Sequence, residues 1–255
     1  MSDALFVSPH FDDVAFSCGG LVCRHLARGE RATVVTVFGG APGEGVEPFD
    51  PALVAAVPEA AQDPAGALRR LWELRGAEDR AAMIVLGVAG IHEAFAEAAF
   101  RPEVTGWREI WRAPPPAARA LVDAIGARLA ASLSGDMIVY APLAVGSHVD
   151  HAMCFLAADV LRRRGARILY YEDVPYATRA GALERRLADL DEDLVARAID
   201  ITPHLARRIE AASCYRSQLA GAFGGAEQVA PTLTAFAASR AVAPATFAER
   251  VWEPT

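Results

Sequence analysis

The segment ALFVSPHFDD, residues 4–13, indicates the fold class of the chain. Its first half, Ala4–Ser8, is a short continuous apolar run, which is typical of a parallel strand buried on both faces. A histidine and two adjacent aspartates follow, and the spacing from Val14 to Arg28 is helical up to Gly29. A strand that passes through polar residues into a helix is the start of a βα unit, and such units bind ligands at the carboxyl end of the strand.

The alternation of strand and helix continues along the chain. Further strands are predicted at Ala32–Phe38, Ala89–His92, Met137–Ala141, Arg167–Glu172 and Val195–Ile201, and further helices at Ala67–Leu86, Ala117–Ala131, Asp150–Arg164 and Thr202–Leu219. Repeated βα units predict an α/β fold with a mostly parallel sheet and helices on both faces. Because no linker or repeat interrupts the pattern, we interpret residues 1–255 as a single domain. Two long irregular segments, 39–66 and 101–116, are predicted to be loops that cover the active site.

The composition excludes several classes of protein. The net charge of −7 argues against a nucleic-acid binder, which needs a basic surface. All 25 basic residues are arginine, and the absence of lysine excludes Schiff-base chemistry with pyridoxal phosphate and a P-loop. The four cysteines lie in apolar stretches without a CxxC pair, and no signal peptide or apolar run long enough to span a membrane is apparent. We therefore expect a cytoplasmic protein.

A second polar cluster, GSHVDH at residues 146–151, follows the predicted strand Met137–Ala141. Since it also lies at the carboxyl end of a strand, we expect it to meet the first cluster at one edge of the sheet. Together the clusters provide a His-Asp-His set, which is typical of a catalytic divalent metal with an open position for water. The alternative is two ordinary helix starts, each with an aspartate as N-cap. That alternative does not explain two aspartates and a histidine in the first cluster.

These motifs resemble those of the PIG-L/LmbE-like family of zinc-dependent N-deacetylases. The family's S-P-H-x-D-D motif and the Gly-Gly that follows stand here as residues 8–13 and Gly19-Gly20, and its H-x-D-H motif stands as residues 148–151. Weaker similarities lie at Arg75-x-x-Glu78, Glu172-Asp173-x-Pro175-Tyr176 and Tyr215-x-Ser217-Gln218. The resemblance implies a Rossmann-like fold and a hydrolase that removes an acetyl group from an N-acetylated amino sugar or its conjugate.

The resemblance also implies a metal site. It assigns His10, Asp13 and His151 as the ligands of a zinc ion, although two imidazoles and a carboxylate also accept other divalent metals. Asp12 matches the family's general base, which takes a proton from the attacking water.

Two further residues match catalytic positions of the family. His148 matches the histidine that stabilises the oxyanion or protonates the leaving amine, and Asp150 would orient His148 and keep it cationic. Such a set suits amide hydrolysis, which needs a nucleophilic water, a polarised carbonyl and a proton for the nitrogen. Gly146 is a departure, because some members carry a tyrosine there that helps to stabilise the oxyanion.

Five residues are expected to bind the small-molecule substrate: Arg75, Trp107, Trp111, Asp173 and Tyr176. For Arg75 the alternative is a salt bridge with Glu78 at helical spacing, and for the tryptophans it is a role in anchoring the loop. His25 and His204 are predicted on surface helices.

Other functions remain open. One is an amidase of the same chemistry that acts on a thiol conjugate or an N-acyl glycopeptide. Another is a non-catalytic sugar-binding or nucleotide-binding protein, but Cys18-Gly19-Gly20 is not the G-x-G-x-x-G that dinucleotide binding requires. The oligomeric state is not predicted.

Overall fold

A central sheet organises the protein in the computed structural model, which describes residues 2–55, 57–58 and 60–255. In chain order its strands are β1 (Ala4–Ser8), β2 (Ala32–Thr36), β3 (Ala89–His92), β4 (Ile138–Pro142), β5 (Arg167–Tyr171), β6 (Leu194–Asp200) and β7 (Ala248–Pro254). Their spatial order in this seven-stranded sheet of the described residues is β3-β2-β1-β4-β5-β7-β6. Strands β1 to β5 pair in parallel, whereas β7 runs antiparallel to both β5 and β6. The predicted α/β class and mostly parallel sheet are confirmed.

Helices cover both faces of the sheet. They are α1 (Asp13–Ala27), α2 (Pro64–Leu86), α3 (Trp107–Ile110), α4 (Arg119–Ala131), α5 (Val149–Arg163), α6 (Ala182–Ala188), α7 (Leu205–Ala212), α8 (Arg216–Phe223) and α9 (Val229–Arg240). Because side chains alternate along a strand, Phe6 packs in the core that holds α1, α2, α7 and α9, while Leu5 and Val7 pack in the core that holds α4 and α5. None of the helices in the described residues has both the length and the apolar composition of a membrane span.

The predicted element boundaries need correction in several places. The helix predicted at Thr202–Leu219 is a 3-10 turn followed by α7 and α8, which are separated at Ser213–Tyr215. Elements α6, α9 and β7 were not predicted. The predicted loop 39–66 ends where α2 begins at Pro64; residues 56 and 59 of this loop lie outside the described residues. The predicted loop 101–116 contains the short helix α3.

Helix α1 is broken in its middle, and the break explains the Gly-Gly pair. Cys18 has non-helical backbone angles (φ −143°, ψ 24°). The freed carbonyl of Phe16 accepts a hydrogen bond from Arg208, and the amides of Gly20 and Leu21 donate to the carboxylate of Glu249 over 2.9 and 2.7 Å. A Cβ on Gly20 would lie only 2.7 Å from Glu249 Oε1. The glycine therefore lets a buried carboxylate reach the helix backbone.

Candidate active site

The two polar clusters meet because β1 and β4 are adjacent parallel strands. After β1, the hydroxyl of Ser8 donates to the carbonyl of His10 (2.6 Å) and accepts from the amide of Val14 (3.2 Å). The amide of His10 donates to Asp13 Oδ2 over 2.7 Å. These bonds fold residues 8–14 into a tight turn, which brings the side chains of His10 and Asp13 to the carboxyl edge of the sheet.

Residues 144–148 form the other side of the site with an unusual backbone. Ala144, Gly146 and Ser147 all have positive φ (63°, 93° and 61°). For residues other than glycine this conformation is strained, and such strain is concentrated at functional sites. The loop ends at His148, the N-cap of α5, and His151 follows on the first turn of that helix.

Asp13 lies between the two histidines predicted to bind metal. Its Oδ2 is 3.2 Å from His10 Nδ1, and its Oδ1 is 3.3 Å from His151 Nε2. Although burial opposes ionisation, His151 and His10 hold the pKa of Asp13 below its ordinary range, so the carboxylate is charged. The three predicted ligands therefore lie next to one another, with the Asp13 carboxylate in contact with both imidazoles.

A second carboxylate supports each of these histidines from behind. His151 Nδ1 lies 2.7 Å from Asp173 Oδ1, and His10 Nε2 lies 3.0 Å from Asp150 Oδ2. In a neutral imidazole, a carboxylate on one ring nitrogen fixes the proton there and leaves the lone pair of the other nitrogen for a metal.

The buried Nε2 of His151 has no hydrogen-bond partner among the described residues. An unpartnered buried nitrogen that faces a carboxylate and a second imidazole fits a divalent metal. The donor set therefore suits zinc and related ions.

His148 offers an alternative third ligand. The ligand atoms of His10, His148 and His151 all lie within 4.8 Å of one another. However, His148 Nδ1 accepts a hydrogen bond from the Asp150 amide (3.2 Å), and this bond places the proton of the neutral ring on Nε2. Burial and the neighbouring His10 hold the pKa of His148 well below its ordinary value. Both features favour a neutral ring that donates a hydrogen bond from Nε2, in contrast to the expectation of a cationic His148.

The predicted pairing of Asp150 with the side chain of His148 is also corrected. The carboxylate of Asp150 is directed to His10, to the Ala98 amide (2.7 Å) and to Arg101 NH2 (2.6 Å). The physical reason is helical spacing, because residues two apart on a helix do not face each other.

Asp12 lines the cleft beside these groups. Burial and the nearby charge of Asp13 raise the pKa of Asp12 to about 7, against the opposing charges of His10 and Arg75. Its carboxylate can therefore both accept and release a proton near neutral pH.

The cleft has a volume of about 300 Å³. Most of the residues predicted to bind substrate line it, namely Arg75, Trp107, Trp111 and Tyr176. Asp173 does not line the cleft, because it is fully buried beneath His151.

Arg75 pairs with Glu97 over 2.9 Å and not with Glu78, whose carboxylate accepts hydrogen bonds from Ser217. The alternative, a local salt bridge between Arg75 and Glu78, therefore does not form. The sequence does not predict that Glu97 lines the cleft, because no motif or nearby charged partner in its segment indicates such a position.

The two tryptophans differ in their surroundings. Trp107 Nε1 donates to Asp50 Oδ2 over 2.6 Å, which matches the anchoring alternative. Trp111 instead packs edge-on against His148 and Tyr176, with ring centroids 5.1 and 5.5 Å apart. Trp111 is therefore the tryptophan that contacts the residues of the second polar cluster and of the cleft wall.

Tyr176 occupies the space next to Gly146. A Cβ at Gly146 would lie 2.8 Å from Tyr176 Cβ, so a side chain at position 146 and the present position of Tyr176 exclude each other. The Tyr176 ring lies 5.6 Å from that of His151. Burial and nearby carboxylates raise the pKa of Tyr176, and its hydroxyl stays protonated. A tyrosine thus stands close to the site although position 146 carries none.

Comparisons with known proteins identify the family of the chain. The family model described as GlcNAc-PI de-N-acetylase (PIG-L) matches residues 5–161. A 2'-N-acetylparomamine deacetylase from Streptomyces fradiae is 32% identical over 98% of this chain and 89% of its own length.

Solved structures of the same fold include a deacetylase of the teicoplanin biosynthesis pathway. It has a TM-score of 0.82 and 24% identity, and the match covers 100% of this chain and 98% of that one. The A40926 pseudoaglycone deacetylase Dbv21 has a TM-score of 0.75 and 23% identity over 100% of this chain and 97% of its own. Since the family match spans more than half of the chain and a relative matches nearly all of it, the protein belongs to the PIG-L family of deacetylases.

Proposed function

We propose that the protein is a metal-dependent N-deacetylase that hydrolyses the acetamide of a small N-acetylated amino sugar or its conjugate. The observation that carries this proposal is the pair of carboxylate-backed histidines, His10 and His151, that face Asp13 beside the unligated Asp12. The name of the Streptomyces fradiae relative supports an N-acetylated aminoglycoside as the substrate class.

The proposed ligands are His10, Asp13 and His151. A divalent metal held by them would lower the pKa of water and polarise the acyl carbonyl. Zinc fits the donor set, and other divalent metals of similar ligand preference fit as well.

Asp12 is proposed as the general base. Its raised pKa suits a group that takes a proton from the attacking water and passes it to the leaving amine. His148 donates its Nε2 proton as a hydrogen bond to the developing oxyanion, because its Nδ1 is already occupied by the Asp150 amide. In the balanced reaction, water and the acetamide give acetate and the free amine.

Trp111 and Tyr176 form an aromatic wall next to His148. Aromatic faces pack against the apolar face of a sugar ring, while Arg75 and Glu97 across the cleft can hydrogen-bond to its hydroxyl or amino groups. This arrangement suits a sugar more than an extended acyl chain.

The test is acetate release from purified protein, measured together with the free amine. The substrates are 2'-N-acetylparomamine, N-acetylglucosamine, an N-acetylated thiol conjugate and an N-acyl glycopeptide. The protein is assayed after metal removal and after reloading with zinc, cobalt or manganese. We expect equal amounts of acetate and amine, dependence on metal, and the highest kcat/KM for the acetylated aminoglycoside.

Two variants complete the test. His151→Ala is expected to lose metal and activity, while His204→Ala, at a partly exposed position outside the cleft, keeps both. A preference for the thiol conjugate or the glycopeptide would support the amidase alternative, and sugar binding without acetate release would contradict the proposal.

A further inference from the structure

The carboxylate of Asp150 is saturated by three donors from different parts of the chain. Oδ2 accepts from His10 Nε2 (3.0 Å) and from the Ala98 amide (2.7 Å), and Oδ1 accepts from Arg101 NH2 (2.6 Å). The side chain of Asp150 is completely buried.

Arg101 brings the balancing positive charge to this buried carboxylate. Its side chain is only 10% exposed, and the guanidinium lies 5.6 Å from the centre of the Phe38 ring. Phe38 in turn lies next to the His10 ring, with centroids 6.1 Å apart. Arg101 is thus packed between the carboxylate that it orients and an aromatic ring that limits its movement.

The arrangement behind His10 parallels the one behind His151. Asp173 fixes His151 through one oxygen and is itself fixed through the other by the Val145 amide. Asp150 likewise accepts a hydrogen bond from His10, and Ala98 and Arg101 hold its carboxylate in place. Both supporting residues belong to the segment of residues 97–101. That segment also carries Glu97, a residue of the cleft wall.

We propose that Arg101 and Asp150 are positioning residues for His10, with Arg101 holding the Asp150 carboxylate and the carboxylate holding the imidazole with Nδ1 toward the metal. The inference rests on the proposed metal site. It makes Asp150 the partner of the proposed metal ligand His10 and not of the proposed oxyanion donor His148. It also gives Arg101 a role that no motif of the sequence indicates. The same carboxylate joins the metal site to the cleft wall.

The chemistry of the substitution Asp150→Asn makes the proposal testable. A carboxamide has one acceptor oxygen and a donor NH₂ group, so it cannot accept from His10, Ala98 and Arg101 together. If the NH₂ group takes the place of Oδ2, it faces the donors of His10 and Ala98; if it takes the place of Oδ1, it faces Arg101, which no longer holds the side chain. In both cases the support of the His10 ring is weakened. Loss of such an outer partner typically lowers metal affinity about 10- to 100-fold.

The experiment measures the zinc affinity of the whole protein by competition with a chelating dye, without any substrate. It also records the visible spectrum of the cobalt-loaded protein, which reports ligand geometry. We expect Asp150→Asn to bind zinc about 10- to 100-fold more weakly and to change the cobalt spectrum. Arg101→Gln should shift both in the same direction by less, because Ala98 still holds the carboxylate, and Arg101→Lys should restore part of the loss.

Matched controls separate positioning from general stability. Asp159→Asn removes a carboxylate of the same helix, α5, and this carboxylate pairs with Arg162 and Arg163. Arg128→Gln removes an arginine that pairs with Glu93. Both controls should bind zinc like the wild type. If Asp150→Asn does not fold, Arg101→Gln decides the question.

Three outcomes would overturn the inference. These are wild-type affinity and spectrum in both Asp150→Asn and Arg101→Gln, an equal loss of affinity in the controls, or no metal binding by the wild type. The last outcome would also overturn the proposed metal site. A wild type that binds metal but releases no acetate would overturn the proposed function alone.

Discussion

Asp12 and Asp13 are neighbours in the chain but have opposite pKa shifts. Burial raises the pKa of Asp12 to about 7, whereas two imidazoles keep the pKa of Asp13 low despite its burial. Carboxylates whose environments separate their pKa values in this way commonly divide a reaction between them. The proposed division is between Asp13 as a metal ligand and Asp12 as the base.

We predict that Asp12→Asn keeps its metal but loses turnover by about 10²-fold or more, the scale of a lost general base. In the wild type, kcat/KM should fall as the pH decreases through about 7, because a protonated Asp12 cannot accept a proton. Residual activity of Asp12→Asn should lack this acid limb.

The measurements are metal content by mass spectrometry and kcat/KM between pH 5 and 9. Asp13→Asn is the matched control at the adjacent position, and it should lose metal. Near-normal turnover of Asp12→Asn with metal retained would show that the base is misassigned.

His148 distinguishes two possible sets of ligands. If His10, Asp13 and His151 bind the metal, His148→Ala keeps the metal and lowers kcat about 10²- to 10³-fold, as expected for a lost oxyanion donor. If the three histidines bind it, the same substitution lowers the metal content. Metal analysis of His148→Ala beside His151→Ala therefore decides between the sets, and full turnover by His148→Ala would exclude both roles.

At the scale of elements, the break in α1 determines how the first cluster is held. The first turn of α1 carries Asp13, and the break beyond it is closed by Arg208 of α7 and Glu249 of β7, which pair at 3.2 Å. Both side chains are almost completely buried. Removing one partner of a buried ion pair leaves an uncompensated charge, which is more costly than losing an exposed pair.

We predict that Glu249→Gln lowers the free energy of unfolding by about 3 to 5 kcal/mol. The control is Glu253→Gln on the same strand, whose carboxylate is 22% exposed and pairs with the exposed Arg197. It should cost no more than about 1 kcal/mol. Urea unfolding of both variants is the measurement, and equal unfolding free energies would contradict a structural role for the buried pair.

The sequence predicts the parallel strands that carry the two polar clusters well, but it misses the short helix α3 beside the cleft. Buried parallel strands such as Ala4–Ser8 are continuous apolar runs, and Ala89–His92 was predicted with the bounds that the structure has. Strand β7 was missed because Glu249, a charged residue, is one of its buried positions. The partners of Asp150 were not predictable, because Ala98 and Arg101 are brought to it by tertiary folding and carry no local signal.

At the scale of the whole molecule, a second buried polar group affects stability. His25, predicted on the surface, is buried; its Nε2 lies 3.0 Å from the Tyr140 hydroxyl and its Nδ1 2.6 Å from Glu30. Burial lowers the pKa of His25 below its ordinary value of 6.5, although Glu30 opposes the shift. The helical pattern of the sequence does not show that His25 is buried, because its partner Glu30 belongs to the loop that follows α1.

The sign of the resulting pH dependence follows from linkage. Below pH 6.5 the unfolded chain protonates His25 while the folded protein does not yet do so, and stability falls as the pH decreases. We predict that His25→Gln has a shallower loss of unfolding free energy between pH 7 and 5 than the wild type. Urea unfolding at several pH values measures it, and parallel curves would show that His25 is not responsible.

The interpretation of residues 1–255 as one domain stays a prediction, as does the cytoplasmic location. What the structure does show is that distant parts of the chain share the site. The match to the family model ends at residue 161, yet Asp173, Tyr176 and Glu249 all support or line the site.

The contact between Gly20 and Glu249 has a consequence for the order of events during synthesis. The two residues are 229 positions apart, so the ribosome makes the turn that carries the proposed metal ligands first and its support long afterwards. Until residue 249 has emerged, the amides of Gly20 and Leu21 and the guanidinium of Arg208 have no carboxylate between them. A nascent chain can thus pair its parallel strands early, but its metal site should mature only after β7 has joined the sheet. Pulse-labelled chains stopped before residue 248 should therefore fail to retain zinc, whereas chains released after β7 should retain it.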